Sequence, residues 1–168
     1  KELLDRKKLD KSWPIAALPL GTANNIAKSI GISGTPEEII RSWKTAVIKP
    51  YDIGRVYGAS GNKFFLESFG FGIFPSLMMV MEKQPKESID TPEKSLQTAL
   101  EQLHDIVLTY QARKCILHAD GSDYSGMYLL AEIMNTRSIG PNLTLAEDAD
   151  PGDGELDLLL LEEKDREQ

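Results

Sequence analysis

One strand-turn-helix segment, LPLGTANNIAKSIGISG at residues 18–34, constrains the fold of this chain more than any other stretch. The apolar run at residues 15–20 stops at Gly21, which is typical of a short strand buried on both faces of a parallel sheet. The pattern predicts that a short helix follows at about residues 24–30, with Gly31 near its C-terminal cap. A strand that passes through a glycine turn into a helix is typical of an α/β layer, and we expect one here.

The turn inside this segment carries polar groups that suit an anion. Its backbone N–H groups lie at the start of a helix, and the missing Cβ of Gly21 lets an anion approach the chain. The Thr22 hydroxyl and the Asn24 and Asn25 amides add short polar donors. A phosphate site is one interpretation. The other is that Thr22, Asn24 and Asn25 only cap the helix, as such residues often do.

Composition excludes several classes of protein. The 168 residues are 41% hydrophobic and 27% charged, which is enough to bury a core. A net charge of −7 argues against nucleic-acid binding, and against attraction of the whole surface to anionic lipid. The single cysteine, Cys115, has no internal disulfide partner, and no apolar run approaches the ~18 residues that span a bilayer. These features predict a soluble cytoplasmic protein.

A change in sequence character predicts two parts, an α/β part at residues 1–50 and a mainly β part at residues 51–168. In the first part, Thr35 and Glu38 form a capping box that begins a second helix. In the second part, alternating and aromatic runs predict strands, and one long helix is expected to begin near Thr91. The predicted strands are a hairpin joined by ASGN, followed by residues 113–119, 126–134 and 155–161.

An acidic turn before the last predicted strand is a candidate metal site. Asp148, Asp150 and Asp153 alternate there with Gly152 and Gly154. Oxygen ligands on a tight glycine turn suit Mg²⁺ or Ca²⁺, although the spacing is not that of an EF-hand loop. The alternative is an acidic hairpin turn without a ligand.

Two further features favour structural roles. Gly70 and Gly72 form a Gly-x-Gly pattern without the third glycine of a dinucleotide fingerprint, so close backbone packing at a domain junction is the better interpretation. His104 and His118 are far apart in sequence and have no evident catalytic partner.

Three stretches together resemble the diacylglycerol kinase catalytic family, lipid kinases that include sphingosine and ceramide kinases and are related to NAD kinase. PLGTANNIAKSIG is similar to the second nucleotide-binding motif of that family, Pro-x-Gly-Thr-x-Asn-Asp. YDIGRVYG with NKFFLESFGFGI resembles the entry into its second domain, and IMNTRSIGPNLTLAEDADPGDGELDLLLL resembles the Asp-Gly-x-Leu-Asp segment of that domain. The three blocks occur in the order of the family and cover most of the chain.

The resemblance implies a fold and an activity. It implies the end of a Rossmann-like α/β nucleotide-binding domain, followed by a β-sandwich-like lipid kinase C-terminal domain. The activity implied is ATP- and Mg²⁺-dependent phosphorylation of a hydroxyl of a lipid such as diacylglycerol. The lipid would be reached at a membrane surface, with the protein peripheral to it.

The resemblance also implies roles for individual residues. The ATP-binding loop would comprise Gly21, Thr22, Ala23, Asn24 and Asn25. The Mg²⁺ ligands would be Asp150, Asp153 and Glu155, the last through its main-chain carbonyl.

The chain departs from the family pattern in three ways. The Gly-Gly-Asp-Gly-Thr phosphate loop would be expected before residue 1, and the segment with the general base after Gln168. Asn25 stands where the family often has aspartate, and a neutral amide is a poorer Mg²⁺ ligand. We therefore interpret the chain as a fragment or shortened homologue, with no catalytic residue identified and little turnover expected from the chain alone.

Three alternatives follow from these departures. The chain is a lipid kinase component, a lipid-binding or interaction module of the same origin without catalysis, or a relative of NAD kinase. The DGELD ending fits the lipid kinases better than the NAD kinases. A truncated α/β part would expose sheet edges, which a homodimer could cover.

Overall fold

The computed structural model describes residues 14–21, 23–58, 63–83, 91–140 and 143–166, and two short helices dominate its first part. Helix α1 is Asn25–Ser29 and helix α2 is Pro36–Ser42, followed by a 3-10 turn at Trp43–Thr45. The predicted end of α1 is confirmed. Gly31 has a φ of 74°, its N–H donates to the Lys28 carbonyl, and the Ile32 N–H donates to the Ala27 carbonyl, as in a Schellman motif.

The predicted capping box of α2 is confirmed. The Glu38 N–H donates to Thr35 Oγ1 at 3.3 Å, and the Thr35 N–H donates to Glu38 Oε2 at 2.8 Å. The two bonds satisfy backbone donors that the first turn of a helix leaves free. The helix therefore begins where the sequence pattern places its start.

The strand predicted at residues 15–20 is wrong. The structure gives these residues no strand, and Ile15 and Leu20 are 80% and 73% exposed. A strand needs a neighbour to satisfy its backbone, and no described segment pairs with these residues. All strand pairings of the described residues are antiparallel, so the Rossmann-like layer expected in residues 1–50 stays a prediction.

The second part is built around one long central strand. Strand β7 pairs with β10 on one side and with β3 and β4 on the other, always antiparallel. Three two-stranded ladders, β1–β2, β5–β6 and β8–β9, complete the sheets. The strands are β1 Gly54–Val56, β2 Lys63–Phe65, β3 Ser68–Gly72, β4 Arg113–Cys115, β5 His118–Ala119, β6 Ser122–Asp123, β7 Gly126–Met134, β8 Ser138–Ile139, β9 Leu143–Thr144 and β10 Asp157–Glu162.

These strands confirm most of the predicted β pattern. β7 matches the predicted range, the run at residues 113–119 divides into β4 and β5, and β10 begins two residues later than expected. The predicted hairpin forms as β1 and β2, whereas its ASGN connection lies outside the described residues. The result is a mixed α/β chain with several antiparallel sheets.

Two helices pack on the four-stranded sheet. Helix α3 is Ile73–Glu82 and helix α4 is Pro92–Thr109, which begins as predicted with Thr91 Oγ1 accepting from the Lys94 N–H. Leu103, Ile106 and Val107 of α4 pack against a buried core that α3 forms with the central strand and Ile139. The core residues are Ile73, Phe74, Leu77, Leu129, Leu130, Met134 and Ile139. None of the helices in the described ranges is both long and apolar enough to cross a membrane.

Candidate functional site

The loop before α1 is closed by its own hydrogen bonds. The Gly21 N–H donates to Asn24 Oδ1 at 2.8 Å, and Asn24 Nδ2 donates to the Gly21 carbonyl at 2.7 Å. Asn24 adopts a left-handed conformation, with a φ of 55°, that allows this closure. Its carboxamide therefore shapes the loop, Ala23 is partly buried within it, and Thr22 lies outside the described residues.

Asn25 points away from the loop and into the second part of the chain. It is only 4% exposed, and its Nδ2 donates to the Gly140 carbonyl at 3.2 Å, across 115 residues of sequence. The Asn25 side chain also acts to lower the pKa of the Glu67 carboxyl, against the effect of burial. Asn25 Oδ1 is buried and has no partner in the part of the chain that the structure describes. The loop predicted to bind ATP is thus tied to the β-rich part.

Asn135, at the end of β7, connects three segments of this site. Its backbone N–H donates to the Glu67 carbonyl at 2.7 Å. Its Nδ2 donates to the Asp52 carbonyl at 2.9 Å and to the Leu66 carbonyl at 2.8 Å. Since Asn135 is 2% exposed, these bonds fix the bend before β3 and the segment before β1 against the sheet.

Tyr51 and Glu67 lie beside each other at this point. The Tyr51 hydroxyl donates to the Leu66 carbonyl at 2.9 Å. Burial and the nearby Glu67 carboxylate raise the pKa of Tyr51 to about 12, against a hydrogen bond from Asn135 that lowers it. Burial also raises the pKa of Glu67, although its hydrogen bond with Asn25 works in the opposite direction. We refer to Asn25, Tyr51, Glu67 and Asn135 as the polar cluster.

The acidic turn is attached to the polar cluster through Asp52. The Gly154 N–H donates to Asp52 Oδ2 at 2.7 Å, and the Asp52 N–H donates to the Pro151 carbonyl at 2.6 Å. Within the turn, Asp150 Oδ1 accepts from the Gly152 N–H at 3.1 Å. Asp153 Oδ1 accepts from the backbone N–H of Glu155 at 2.9 Å. The three residues predicted to bind metal therefore share one turn.

The donor set of this turn suits a hydrated cation better than a closed protein cage. Within the described ranges, no three Asp, Glu, His or Cys side chains come together as a metal-binding group. Asp150 and Asp153 each use one carboxylate oxygen for the turn, which leaves the second oxygen of each for another partner. Mg²⁺ keeps several waters and often uses only one or two carboxylates, so these residues fit it in that form.

The sequence analysis missed the residues that lie between the predicted nucleotide loop and the acidic turn, namely Tyr51, Asp52, Glu67 and Asn135. One signal was present: Glu67 is a charged residue inside the aromatic run KFFLESFGF, and buried charges in such positions usually have partners. The partners themselves come from segments far apart in sequence.

Known proteins are similar to this chain in both sequence and fold. The sequence model of the family described as "Diacylglycerol kinase catalytic domain" matches residues 2–56. The diacylglycerol kinase of Bacillus subtilis (strain 168) is 28% identical over 162 residues, which are 91% of this chain and 48% of that protein. "Probable lipid kinase YegS-like" of Pseudomonas putida is 29% identical over 147 residues, which are 88% of this chain and 46% of that protein.

Solved structures share the fold. A crystal structure from Bacillus anthracis str. Sterne has a TM-score of 0.69 at 18% identity and covers 95% of this chain and 49% of its own. A diacylglycerol kinase structure from the same organism has a TM-score of 0.60 at 16% identity, covering 93% and 47%. The chain spans about half the length of the curated relatives it matches.

The fold of this chain is that of the solved diacylglycerol kinase structures from Bacillus anthracis str. Sterne. The sequence matches and the shared fold support a relationship between this chain and the diacylglycerol kinase catalytic-domain family.

Proposed function

We propose that this chain forms part of an ATP- and Mg²⁺-dependent lipid kinase that phosphorylates a hydroxyl of a lipid such as diacylglycerol. One observation carries the proposal beyond sequence similarity. Asn25 ties the predicted nucleotide loop to the second part of the chain by donating to the Gly140 carbonyl. Asp52 ties the predicted metal turn to the same part, because its carboxylate accepts from the Gly154 N–H and its carbonyl accepts from Asn135 Nδ2. Phosphoryl transfer requires a nucleotide loop and a metal ion in one site.

The residues of the site have separate tasks in this proposal. Catalysis of phosphoryl transfer depends mainly on positioning and on electrostatic stabilisation. Gly21, Thr22 and Ala23 would contact the phosphates of ATP, in a loop whose shape Asn24 fixes. Asn25, whose amide donates to the Gly140 carbonyl, would hold the loop rather than bind phosphate.

The acidic turn would bind the metal ion. Asp150 and Asp153 would contribute carboxylate oxygens and Glu155 its main-chain carbonyl, while Asp52 holds the turn by accepting from Gly154. When bound there, Mg²⁺ would offset negative charge near the phosphates. The lipid alcohol would approach from a membrane surface with which the protein associates peripherally from the cytoplasm, and a homodimer is compatible with this arrangement.

We expect the chain to bind ATP, and the Thr22 hydroxyl to contribute. Thr22→Val removes that hydroxyl at nearly constant volume and should weaken ATP binding about tenfold, since a hydrogen bond to a charged group is worth ~1.5 kcal/mol or more. Isothermal titration calorimetry with ATP and MgCl₂ measures this. Thr109→Val, at the far end of α4, is the matched control and should bind like the wild type.

Transfer to lipid is tested separately with labelled ATP and a panel of lipid alcohols in detergent micelles. The complete reading frame that contains these residues should phosphorylate at least one lipid, whereas the 168-residue chain should show little turnover. ATP binding without transfer by the complete protein would favour the non-catalytic lipid-binding or interaction module. Absence of ATP binding by both proteins would contradict the proposed function.

We expect Mg²⁺ alone to stabilise the fold through the acidic turn. A ligand that binds only the folded state at 100 times its Kd adds ~2.7 kcal/mol to the free energy of unfolding. Thermal unfolding with increasing MgCl₂ should therefore show a rising midpoint, and EDTA should reverse it. The double substitution Asp150→Asn and Asp153→Asn should abolish the rise, whereas Asp105→Asn on the exposed face of α4 should not. An equal rise in both variants would exclude the turn as the metal site.

A further inference from the structure

The short segment that follows β7, residues 135–140, contacts both halves of the proposed site. Its last carbonyl, that of Gly140, accepts from Asn25 Nδ2 at 3.2 Å, and β8 within the segment contacts helix α1. In the middle of the segment, the Nε of Arg137 donates to the Ala149 carbonyl, at the entry to the acidic turn. Arg137 therefore lies on the chain that joins the predicted nucleotide loop to the predicted metal turn.

Arg137 holds the entry to the acidic turn with both its backbone and its side chain. Its carbonyl accepts from the N–H groups of Leu145 and Ala146, at 3.0 and 3.2 Å. Its Nε donates to the Ala149 carbonyl at 3.0 Å. Ala149 is 2% exposed and directly precedes Asp150. These bonds fix the guanidinium beside the acidic turn.

The outer end of this guanidinium is available to a ligand. Arg137 is exposed, and its two terminal amino groups have no hydrogen bond or ion pair with the residues that the structure describes. Nε is satisfied by a neutral carbonyl, so the positive charge is not paired with a carboxylate, although the neighbouring stretch of chain contains four. They are Glu147, Asp148, Asp150 and Asp153.

We propose that Arg137 binds the phosphate groups of the nucleotide, an inference that rests on the proposed function. Its Nε–H stays on the Ala149 carbonyl, and its terminal amino groups donate to phosphate oxygens. Arginine suits this task because its planar fork of donors matches two phosphate oxygens at once and is always charged. Arg137 binds and orients the phosphates, and it takes up no proton or covalent bond.

The charges around the site explain why a cation is needed there. The chain has a net charge of −7, and the acidic turn places carboxylates beside the proposed metal position. The phosphates of ATP bring further negative charge, and like charges repel each other. Mg²⁺ would offset part of this repulsion, and Arg137 offsets another part. Because its Nε is already anchored, the side chain loses little conformational freedom when phosphate binds.

Two substitutions separate the anchoring task of Arg137 from its phosphate task. Arg137→Gln keeps a nitrogen donor at the ε position, so it can still donate to the Ala149 carbonyl, but it lacks the terminal amino groups and the charge. Arg137→Lys keeps a charge at the end of the side chain but has a methylene at the ε position, so it loses the anchor. Arg113→Gln, which lies opposite Tyr128 at the other end of β7, is the matched control for the loss of one positive charge.

Calorimetry with ATP and MgCl₂ measures the nucleotide affinity, and urea unfolding measures the global stability. Arg137→Gln should weaken ATP binding about tenfold or more, as expected for loss of a hydrogen bond to a charged group, and should unfold like the wild type. Arg137→Lys should unfold at lower urea but bind ATP within about threefold of the wild type, because lysine also binds phosphate as a point charge. A purely structural role predicts the opposite order, since only the lysine variant loses the anchor.

Two results would overturn the inference. One is ATP binding by Arg137→Gln that equals that of the wild type and of Arg113→Gln. The other is a greater loss of ATP affinity in Arg137→Lys than in Arg137→Gln. If Arg137→Gln does not fold, Arg137→Lys decides, because retained ATP binding without the anchor supports the inference and lost binding contradicts it. Absence of ATP binding by the wild type would instead contradict the proposed function, and this inference with it.

Discussion

Replacing Gly72 by alanine should destabilise the fold by about 3 kcal/mol or more. Gly72 ends β3 and precedes α3, and its φ of 120° lies in a region that residues with a side chain rarely adopt. A Cβ at this position would also lie 2.1 Å from the Leu129 carbonyl oxygen and 2.8 Å from the Leu130 Cα on the neighbouring strand. Backbone strain and steric overlap act together here. The neighbouring strand β7 cannot move aside, because it is paired with other strands along both of its edges.

Alanine substitutions at two further glycines distinguish the effect of backbone strain from that of steric overlap. Gly121→Ala, in the β5–β6 turn, meets nothing within 4 Å but has a φ of 79°, so it should cost only the backbone strain of about 1 kcal/mol. Gly70→Ala has no positive φ, but its Cβ would lie 2.2 Å from the Ala131 carbonyl oxygen, so it tests overlap alone. Urea unfolding followed by circular dichroism measures all three. A loss for Gly72→Ala no greater than that for Gly121→Ala would contradict the argument.

Local signals in the sequence correctly predicted three helix ends, namely the starts of α2 and α4 and the end of α1. The caps at Thr35 and Thr91 and the glycine exit at Gly31 depend on residues three or four positions apart. The close backbone packing predicted for Gly70 and Gly72 is also confirmed, although the packing is against β7 within the sheet. Such features follow from backbone chemistry that a short window of sequence contains.

Features that depend on distant partners were predicted poorly. The run at residues 15–20 has the composition of a buried strand, but composition does not supply the neighbour that a strand requires. The polar cluster joins Asn25, Tyr51, Glu67 and Asn135, whose proximity depends on the antiparallel register of β3 and β7. The acidic turn was identified because its residues are adjacent in sequence, whereas its attachment through Asp52 spans 102 residues.

The register of β3 and β7 also buries a carboxyl that the proposed function does not use. Glu132, in the middle of β7, is 3% exposed and lies opposite Gly70 on β3 and Leu159 on β10. Ser68 hydrogen-bonds to its side chain, but its Oε2 has no partner in the described part of the chain and occupies the space beside Gly70. Burial therefore raises the pKa of Glu132 above its ordinary value of 4.5, and the Ser68 hydrogen bond only partly opposes this.

Glu132→Gln should make the stability of the fold less sensitive to a rise in pH above about 4.5. With a raised pKa in the folded state, the wild type binds more protons folded than unfolded, so its stability is full below about pH 4.5 and falls as the pH rises through the folded pKa. Glutamine does not titrate, so the variant should gain stability relative to the wild type as the pH rises above 4.5, by about 2 kcal/mol once the carboxyl is fully ionised, near the cost of burying an unsatisfied polar group.

Urea unfolding at several pH values measures this difference. Glu155→Gln, at an exposed position, controls for the loss of one negative charge from a chain of net charge −7. Glu67→Gln should change the pH dependence of the free energy of unfolding less, because Glu67 is only half-buried and the Asn25 side chain opposes the rise of its pKa. Parallel stability curves for Glu132→Gln and the wild type would mean that the buried carboxyl finds a partner in the folded protein, and that its position opposite Gly70 costs nothing at neutral pH.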